Sequence, residues 1–384
     1  MSHFSHWRCT DCGREFALDE VRYLCPDCAR DYAPGIPLPG VLEAIFDYPA
    51  LREAWLAQPD PQLFSVLPPG YYPPLPVGNT PLFRPERLAT SLNLPELYIK
   101  NDSLNPSGSF KDRASELVVA DAIRLGMNEL VCASTGNAAS SLACLCAAAG
   151  KQAVIFVPAN APAAKLAQIR VHGAELHSVA GTYDAAFAAA LEYSACHACL
   201  NRNTAYNPLT IEGKKSAGLE IFLQLGAVPN WIVVPVGDGV ILAGIHKAWV
   251  DLRRAGLTDS LPRLLAVQAA SSDAITSYWE SGSYRDAANP FTMADSISVK
   301  TPSNANWAVR ALNETRGKAI RVSDGQILQA QIELARQAGI FAEPSSAAVL
   351  AGLQGALGQG WIAPGDRVVL LITGHGLKDI NAVS

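Results

Sequence analysis

Short apolar runs alternate along this chain with longer stretches in which apolar residues recur every three or four positions. The runs Leu97–Lys100, Leu130–Ala133, Ala153–Val157, Glu175–Val179, Trp231–Pro235, Leu264–Val267 and Val368–Ile372 are bounded by turn-forming residues and predict strands. Intervening patterns such as Ala114, Leu117, Val118, Ala122 and Leu125 predict helices. This β/α alternation implies largely parallel sheets covered by helices, and in such folds ligands bind beyond the carboxyl ends of the strands. The loops that follow the runs are therefore the expected seat of the chemistry. Upstream the pattern breaks. Residues 34–76 are rich in proline and aromatics, ending in Tyr71-Tyr-Pro-Pro-Leu-Pro76, and predict an extended arm wrapping the body. Its Trp55, Phe64 and Tyr72 need an apolar surface to pack on.

Four loops stand out. Asn105-Pro-Ser-Gly-Ser-Phe-Lys-Asp-Arg113 joins turn formers to a lysine at the start of a predicted helix, with Ser109 or Asp112 available as a cap. If Lys111 points into a cleft, desolvation disfavours its charged form and leaves an amine that can attack a carbonyl. A solvated surface lysine fits the loop equally well. After Ala133, Ser134-Thr-Gly-Asn137 offers hydroxyls, an amide and free N–H groups at a helix start, which suits a carboxylate and also fits ordinary helix capping. After Pro235, the turn Gly237-Asp-Gly239 with Val240 opens a helix where backbone amides can close on a phosphate. After Ile372 comes Thr373, then a glycine-flanked His375 that reads as structural or as a wall of the site.

One cofactor accounts for all four loops: pyridoxal phosphate (PLP). Lys111 would engage its carbonyl, the Gly237, Asp238, Gly239 and Val240 turn its phosphate, and Thr373 its pyridine nitrogen, while the Ser134 loop takes the substrate carboxylate. A dinucleotide-binding fold would also explain glycines at strand-to-helix turns, but no Gly-x-Gly-x-x-Gly follows the first strands.

Composition narrows the class. With 384 residues, 49% hydrophobic and 17% charged, the chain has material for a sizeable core and more than one domain. A net charge of -5 without a long basic run leaves no electrostatic footprint for nucleic acid or an anionic membrane. Small molecules are the expected partners. The first residues lack a signal-peptide pattern, and the most apolar stretch, Ala138–Gly150, is too short to span a bilayer, so the expected location is the cytoplasm.

In that reducing compartment the nine cysteines are free thiols or metal ligands. Cys9-x2-Cys12 and Cys25-x2-Cys28 form two knuckles with zinc-ribbon spacing. Four thiolates close a tetrahedral shell suited to structural zinc and leave no position for a catalytic water. A redox Cys-x-x-Cys, which needs only one pair, and four unrelated buried thiols are the alternatives. Cys132, Cys144, Cys146, Cys196 and Cys199 are expected in the core.

These loops and knuckles occur together with Gly78-Asn-Thr-Pro-Leu82, Asn207-Pro208, Glu212-Gly213, Glu343-Pro-Ser-Ser-Ala-Ala348 and the ending Thr373-Gly-His-Gly-Leu-Lys-Asp379. From Cys9 to Asp379 the chain thereby resembles the threonine synthases, among the tryptophan-synthase-like PLP enzymes of fold type II. The resemblance implies an α/β fold with two parallel-sheet domains and an amino-terminal zinc ribbon. It divides the chain into a ribbon at 1–33, the arm at 34–76, a large PLP-binding domain at 77–102 and 206–384, and a smaller α/β domain at 103–205. Lys111 becomes the Schiff-base lysine and the base and acid of catalysis, and Asn137 a partner of the cofactor's 3′ oxygen. Thr373 would face pyridine N1, where a neutral hydroxyl leaves the ring a weaker electron sink than a carboxylate would. The substrate would lie on Ser134, Thr135, Asn137, Asn203, Thr204 and Thr210. The implied reaction converts O-phosphohomoserine and water to threonine and phosphate, in an enzyme that is a homodimer as family members commonly are.

The chain departs from the family in three places. Thr210 stands where many threonine synthases carry a phosphate-binding arginine, Asp238 puts a negative charge in a shortened glycine loop, and Ala138 replaces a threonine that commonly follows the asparagine. Arg202, Lys214 and Lys215 are the candidates to restore the missing charge. Two other functions remain open on the sequence. One is β-elimination or β-replacement on another hydroxy amino acid or its phosphate ester; the other is a non-catalytic homologue, against which the retention of Lys111, Asn137 and Thr373 speaks.

Overall fold

The computed structural model describes residues 2–33, 35–159, 161, 163–181 and 183–383. Of the expected ribbon, arm and domain ranges, Met1, Pro34, Asn160, Pro162, Thr182 and Ser384 lie outside the described residues. The chain forms two compact units, Met1–Gly78 with Asn105–Ser216, and Asn79–Leu104 with Ala217–Ser384. The ribbon and the arm belong to the first unit. The expected division near residue 205 moves to Ser216, inside the continuous helix Leu209–Leu225, where no turn former marks it.

In the first unit, Glu15–Phe16, Phe4–Cys9 and Leu42–Phe46 form an antiparallel sheet in that order. Its third strand comes from the arm, which is not extended throughout: it also carries the helix Tyr48–Ala57 and the short 3-10 turns Pro61–Phe64 and Pro69–Tyr71. Proline content masks that helix because Pro49 lies in its first turn, where the missing N–H breaks no helical bond. Asp47 caps it, accepting the Ala50 N–H at 3.1 Å. The aromatic side chains find their partners locally. Trp55 meets Phe64 edge-on with ring centres 5.7 Å apart, and Phe64 meets Phe46 at 6.3 Å.

A buried ion pair ties this arm to the Leu209–Leu225 helix. Lys215 lies 2.6 Å from Glu212 and 4.1 Å over the Phe46 ring, while Glu212 accepts the Ala44 N–H at 3.1 Å. Next to Glu212, a Cβ on Gly213 would overlap the Arg113 carbonyl oxygen, so the Leu209–Leu225 and Lys111–Arg124 helices touch backbone to backbone there. Buried Arg113 then donates to Ser216 Oγ at 2.8 Å. The Glu212-Gly213 motif is thus a packing device.

The larger sheet of the first unit has four parallel strands in the order Glu175–Val179, Gln152–Pro158, Glu129–Ala133, Cys199–Asn201. Val131, Ala133, Val154 and Phe156 form its core with Ala186 and Ala190 of the Tyr183–Cys196 helix. Four of the five non-ribbon cysteines are buried as expected. Cys196 is exposed instead, because it is the last residue of its helix and lies beyond the buried stripe.

The second unit is built on six strands, Lys318–Val322, Arg263–Ala269, Trp231–Pro235, Val368–Ile372, Leu97–Asn101 and Leu82–Phe83, parallel except for the last pair. Val233, Val267, Leu370 and Ile99 pack against Leu350 and Leu353 of the helix Pro344–Gly358. The stretch from Asn79 to Pro81 is held by a polar network in this unit: Lys100 Nζ donates to Glu220, Gln224 and the Thr80 carbonyl at 2.5, 2.8 and 2.7 Å. Glu220 also accepts the N–H of Asn79, which is in the left-handed region at φ 47°. Among the described residues no helix is long and apolar enough to cross a membrane.

Candidate active site

Within the first unit, the Lys111 loop is stapled by side chains. Gly108, at φ 80°, makes the turn, and its N–H donates to the Asn105 carbonyl at 2.8 Å. Asn105 Oδ1 accepts the Gly78 N–H at 2.9 Å. Neither Ser109 nor Asp112 caps the following helix. Phe110 occupies the cap position without a side-chain bond, and the buried Asp112 carboxylate turns back to accept the Ser107 N–H at 2.7 Å and the Ser107 hydroxyl at 2.5 Å. Lys111 is therefore the first residue of a helix whose entry is fixed by a charged double hydrogen bond, and it is half-buried.

The neighbouring loop follows the same style. Ser134 Oγ accepts the Gly136 N–H at 3.1 Å, and Gly136 caps the helix without a side-chain bond, leaving buried Asn137 as its first residue. Asn203 Oδ1 accepts the Ala133 N–H at 2.9 Å, while its buried Nδ2 has no partner. Thr204 Oγ1 accepts from Lys214 Nζ at 3.0 Å. The Thr210 hydroxyl is used to hold a turn: it accepts the N–H of left-handed Ala205 at 3.1 Å and donates to the Asn207 carbonyl at 2.8 Å. Ser134, Asn137 and Asn203 thus gather at the ends of two paired strands.

Within the second unit, glycines dominate. Gly239, at φ 86°, caps the helix Val240–Arg254. A Cβ on Gly237 would lie 3.0 Å from Ile297 Cα, and one on Gly239 would lie 2.9 Å from the Asn304 carbonyl oxygen. Asp238 Oδ1 accepts the Val240 N–H at 3.0 Å, so the amide expected to serve a phosphate is taken by this carboxylate at a helix N-terminus, where negative charge is favoured. Sequence reading missed two donors beside this turn. Asn304, whose N–H donates to the Asp238 carbonyl at 2.9 Å, leaves Nδ2 buried and unpartnered, as does Ser303 its Oγ. Their one local signal is a Ser-Asn pair before the helix Ala305–Glu314 that provides no side-chain cap.

Thr373 is buried at the end of its strand. Its N–H donates to Ser346 Oγ at 3.0 Å, and the two hydroxyls lie 2.9 Å apart. Gly374 and Gly376 pass too close to Glu343 and Phe341 for any Cβ, which explains why the Thr-Gly-His-Gly turn and the Glu343-Pro-Ser-Ser motif occur together. His375 is structural here, accepting the Leu377 N–H at 3.2 Å through Nδ1 and meeting Phe341 edge-on.

The four amino-terminal cysteines converge. Their sulfurs all lie within 4.8 Å of one another, with Cys9–Cys28 and Cys12–Cys25 each at 3.8 Å. A tetrahedral ion with Zn–S bonds of about 2.3 Å sets its sulfurs about 3.8 Å apart, so the donor set fits zinc. Burial pushes the Cys9 thiol up to about 11 and raises Cys28 above the ordinary thiol range, whereas the Arg14 backbone N–H lowers Cys12.

Within the first unit a half-buried lysine opens one helix and hydroxyls and amides open a second; within the second unit a glycine turn with spare donors beside it opens a third. The chain belongs to the pyridoxal-phosphate-dependent enzyme family, which matches residues 74–374. It is 37% identical to the threonine synthase of Methanosarcina acetivorans over 98% of this chain and 93% of the relative. It is 35% identical to that of Methanocaldococcus jannaschii over the same shares. The processed threonine deaminase isoform 2 of Solanum lycopersicum has the same fold, with a TM-score of 0.69 at 22% identity over 79% of this chain and 87% of that one.

Proposed function

We propose that this chain is a PLP-dependent lyase that converts O-phosphohomoserine and water to threonine and inorganic phosphate. The observation that carries this reading is the 37% identity to a threonine synthase over 98% of the chain, ribbon included. The residues present fit the cofactor. Lys111 would hold it covalently, and the unpartnered donors of Ser303 and Asn304, with the Gly237–Gly239 backbone, suit its phosphate. Asn137 would serve its 3′ oxygen, and the Thr373 hydroxyl, braced by Ser346, its pyridine nitrogen. Bound there, the cofactor supplies the electron sink that makes the substrate's Cα proton acidic.

The protein's own groups do the rest. Lys111 Nζ takes the proton at Cα, then removes one at Cβ and returns protons later, serving as base and acid in turn. Amides and hydroxyls of Ser134, Thr135 and Asn137 at a helix start orient the substrate carboxylate. Phosphate leaves Cγ and water adds at Cβ. A neutral hydroxyl at Thr373 keeps the sink moderate, which suits loss and gain of groups on the side chain.

The reading also assigns one structural zinc to Cys9, Cys12, Cys25 and Cys28, supported by their sulfur spacing, and a cytoplasmic homodimer, supported by the family resemblance. A substrate panel read out for phosphate, ammonia and new amino acid tests the reaction. Phosphohomoserine should give threonine and phosphate in equal amounts. Ammonia and a keto acid from serine or threonine would make it a dehydratase, and absence of both turnover and bound cofactor would leave a binding homologue.

A further inference from the structure

We propose that Lys214 supplies the positive charge that binds the substrate's departing phosphate, with Thr204 and Asn203 as its neutral partners. The proposal rests on the function proposed above and adds the residue that takes over from the arginine this chain lacks at position 210. A phosphate monoester held away from water needs a charged donor. Thr210 does not provide one, and its hydroxyl is occupied by the Ala205 N–H and the Asn207 carbonyl.

Lys214 is four residues further along the same helix, Leu209–Leu225, and so lies on the same face as Thr210. Long side chains on a helix lean toward its N-terminus, which carries the Lys214 ammonium back over the turn that Thr210 begins. There it meets a hydroxyl, Thr204 Oγ1, at 3.0 Å. Thr204 follows the carboxyl end of the Cys199–Asn201 strand, the edge at which parallel sheets bind ligands. The next strand in the sheet, Glu129–Ala133, leads directly into Ser134-Thr-Gly-Asn137, and Asn203 joins the two by accepting the Ala133 N–H. A continuous series of contacts within one unit therefore runs from Lys214 through Thr204 and Asn203 to the loop assigned to the substrate carboxylate.

Two further donors, on the successive residues Arg202 and Asn203 that lead into Thr204, lack acceptors. Asn203 Nδ2 is buried without a partner, and so is Nη1 of Arg202. Arg202 is fully buried, and its other contacts are neutral: Nε donates to Ser115 Oγ at 3.1 Å and Nη2 to the Lys111 carbonyl at 3.4 Å. A buried guanidinium held only by a hydroxyl and a carbonyl leaves local positive charge for an anion to neutralise. Lys215, the third candidate, is committed elsewhere, to Glu212 and the Phe46 face.

The experiment compares wild type, Lys214→Gln, Lys214→Arg and the double variant Thr210→Arg with Lys214→Gln. Each is measured for KM and kcat with phosphohomoserine, for binding of inorganic phosphate by equilibrium dialysis, and for cofactor absorption. K214Q is expected to weaken phosphate binding and raise KM about 10- to 100-fold, the loss of one charged hydrogen bond, with kcat changed less and cofactor absorption kept. K214R should stay within a few-fold of wild type, and arginine at 210 should restore much of the loss. A folded K214Q with wild-type KM and phosphate affinity overturns the assignment. If K214Q does not fold, Thr204→Val serves instead: it removes the hydroxyl that positions the ammonium, and unchanged phosphate affinity in that variant overturns the assignment equally. Wild-type protein that leaves phosphohomoserine untouched defeats the proposed function, whereas wild-type turnover with an indifferent Lys214 defeats only this inference.

Discussion

The two units hold their functional loops by different means. In the first, side chains fix the backbone: Asp112 clasps Ser107, Ser134 takes the Gly136 N–H, and Asn203 takes the Ala133 N–H. In the second, the backbone itself is the building material, with Gly237, Gly239, Gly374 and Gly376 each passing where a Cβ would press on a neighbouring segment. Loops carrying acid–base chemistry need polar groups locked in place, since misplacement by an ångström is costly. Loops that cradle a phosphate or the flat edge of a ring need close approach and spare N–H donors, which glycine permits.

The contrast breaks most sharply at Lys111. Lys111→Ala should lower turnover by about 10⁴-fold or more, because the proposed function has one amine hold the cofactor and move the protons, while urea unfolding stays cooperative with a similar midpoint. Next in size is metal removal. Chelation of the four cysteines should release one zinc per chain and melt the Phe4–Phe46 sheet, whose short strands have little core of their own; circular dichroism with metal analysis checks this, and the second unit's sheet should keep its protection from hydrogen exchange.

Smaller effects separate side-chain from backbone support. Asp112→Asn removes the charge from a buried carboxylate with two donors and should cost about 2 kcal/mol in urea unfolding, with turnover falling because Lys111 loses its fixed entry. Gly239→Ala combines φ 86° with contact on the Asn304 carbonyl and should cost about 1–3 kcal/mol, with cofactor dissociation, followed by absorbance on dilution, as its functional readout. Thr373→Ser keeps the hydroxyl that meets Ser346, so kcat should change by less than about threefold, whereas Thr373→Val forfeits that hydrogen bond at about 1 kcal/mol. Equal sensitivity of Asp112 and Gly239 variants in both readouts would erase the distinction between the units.

Much of this was legible in local pattern. The seven apolar runs are all strands, and their following loops carry the candidate residues, because strand burial and turn chemistry both leave short-range signals. The strand Lys318–Val322 leaves a weak signal because Lys318 and Arg321 interrupt its apolar residues, and Cys199–Asn201 because it is only three residues long. The helix Tyr48–Ala57 is masked in the sequence by Pro49, which favours its first turn. Partnerships across the chain left no local trace. Nothing near Gly239 points to Ser303 or Asn304, and nothing near Thr210 shows that its hydroxyl is engaged while Lys214 reaches Thr204. On the sequence Asp238 is a charge opposing a phosphate, but in the fold its carboxylate accepts the N–H of Val240, the first residue of the following helix.

The role given to Lys111 is tested most directly by locating the attached cofactor. Purified protein is treated with borohydride, which fixes a lysine-bound PLP as a stable amine, and its peptides are mapped by mass spectrometry. One pyridoxyl group per chain is expected, on Lys111. A label on any other lysine, or none in protein that has been supplied with the cofactor, would overturn that role.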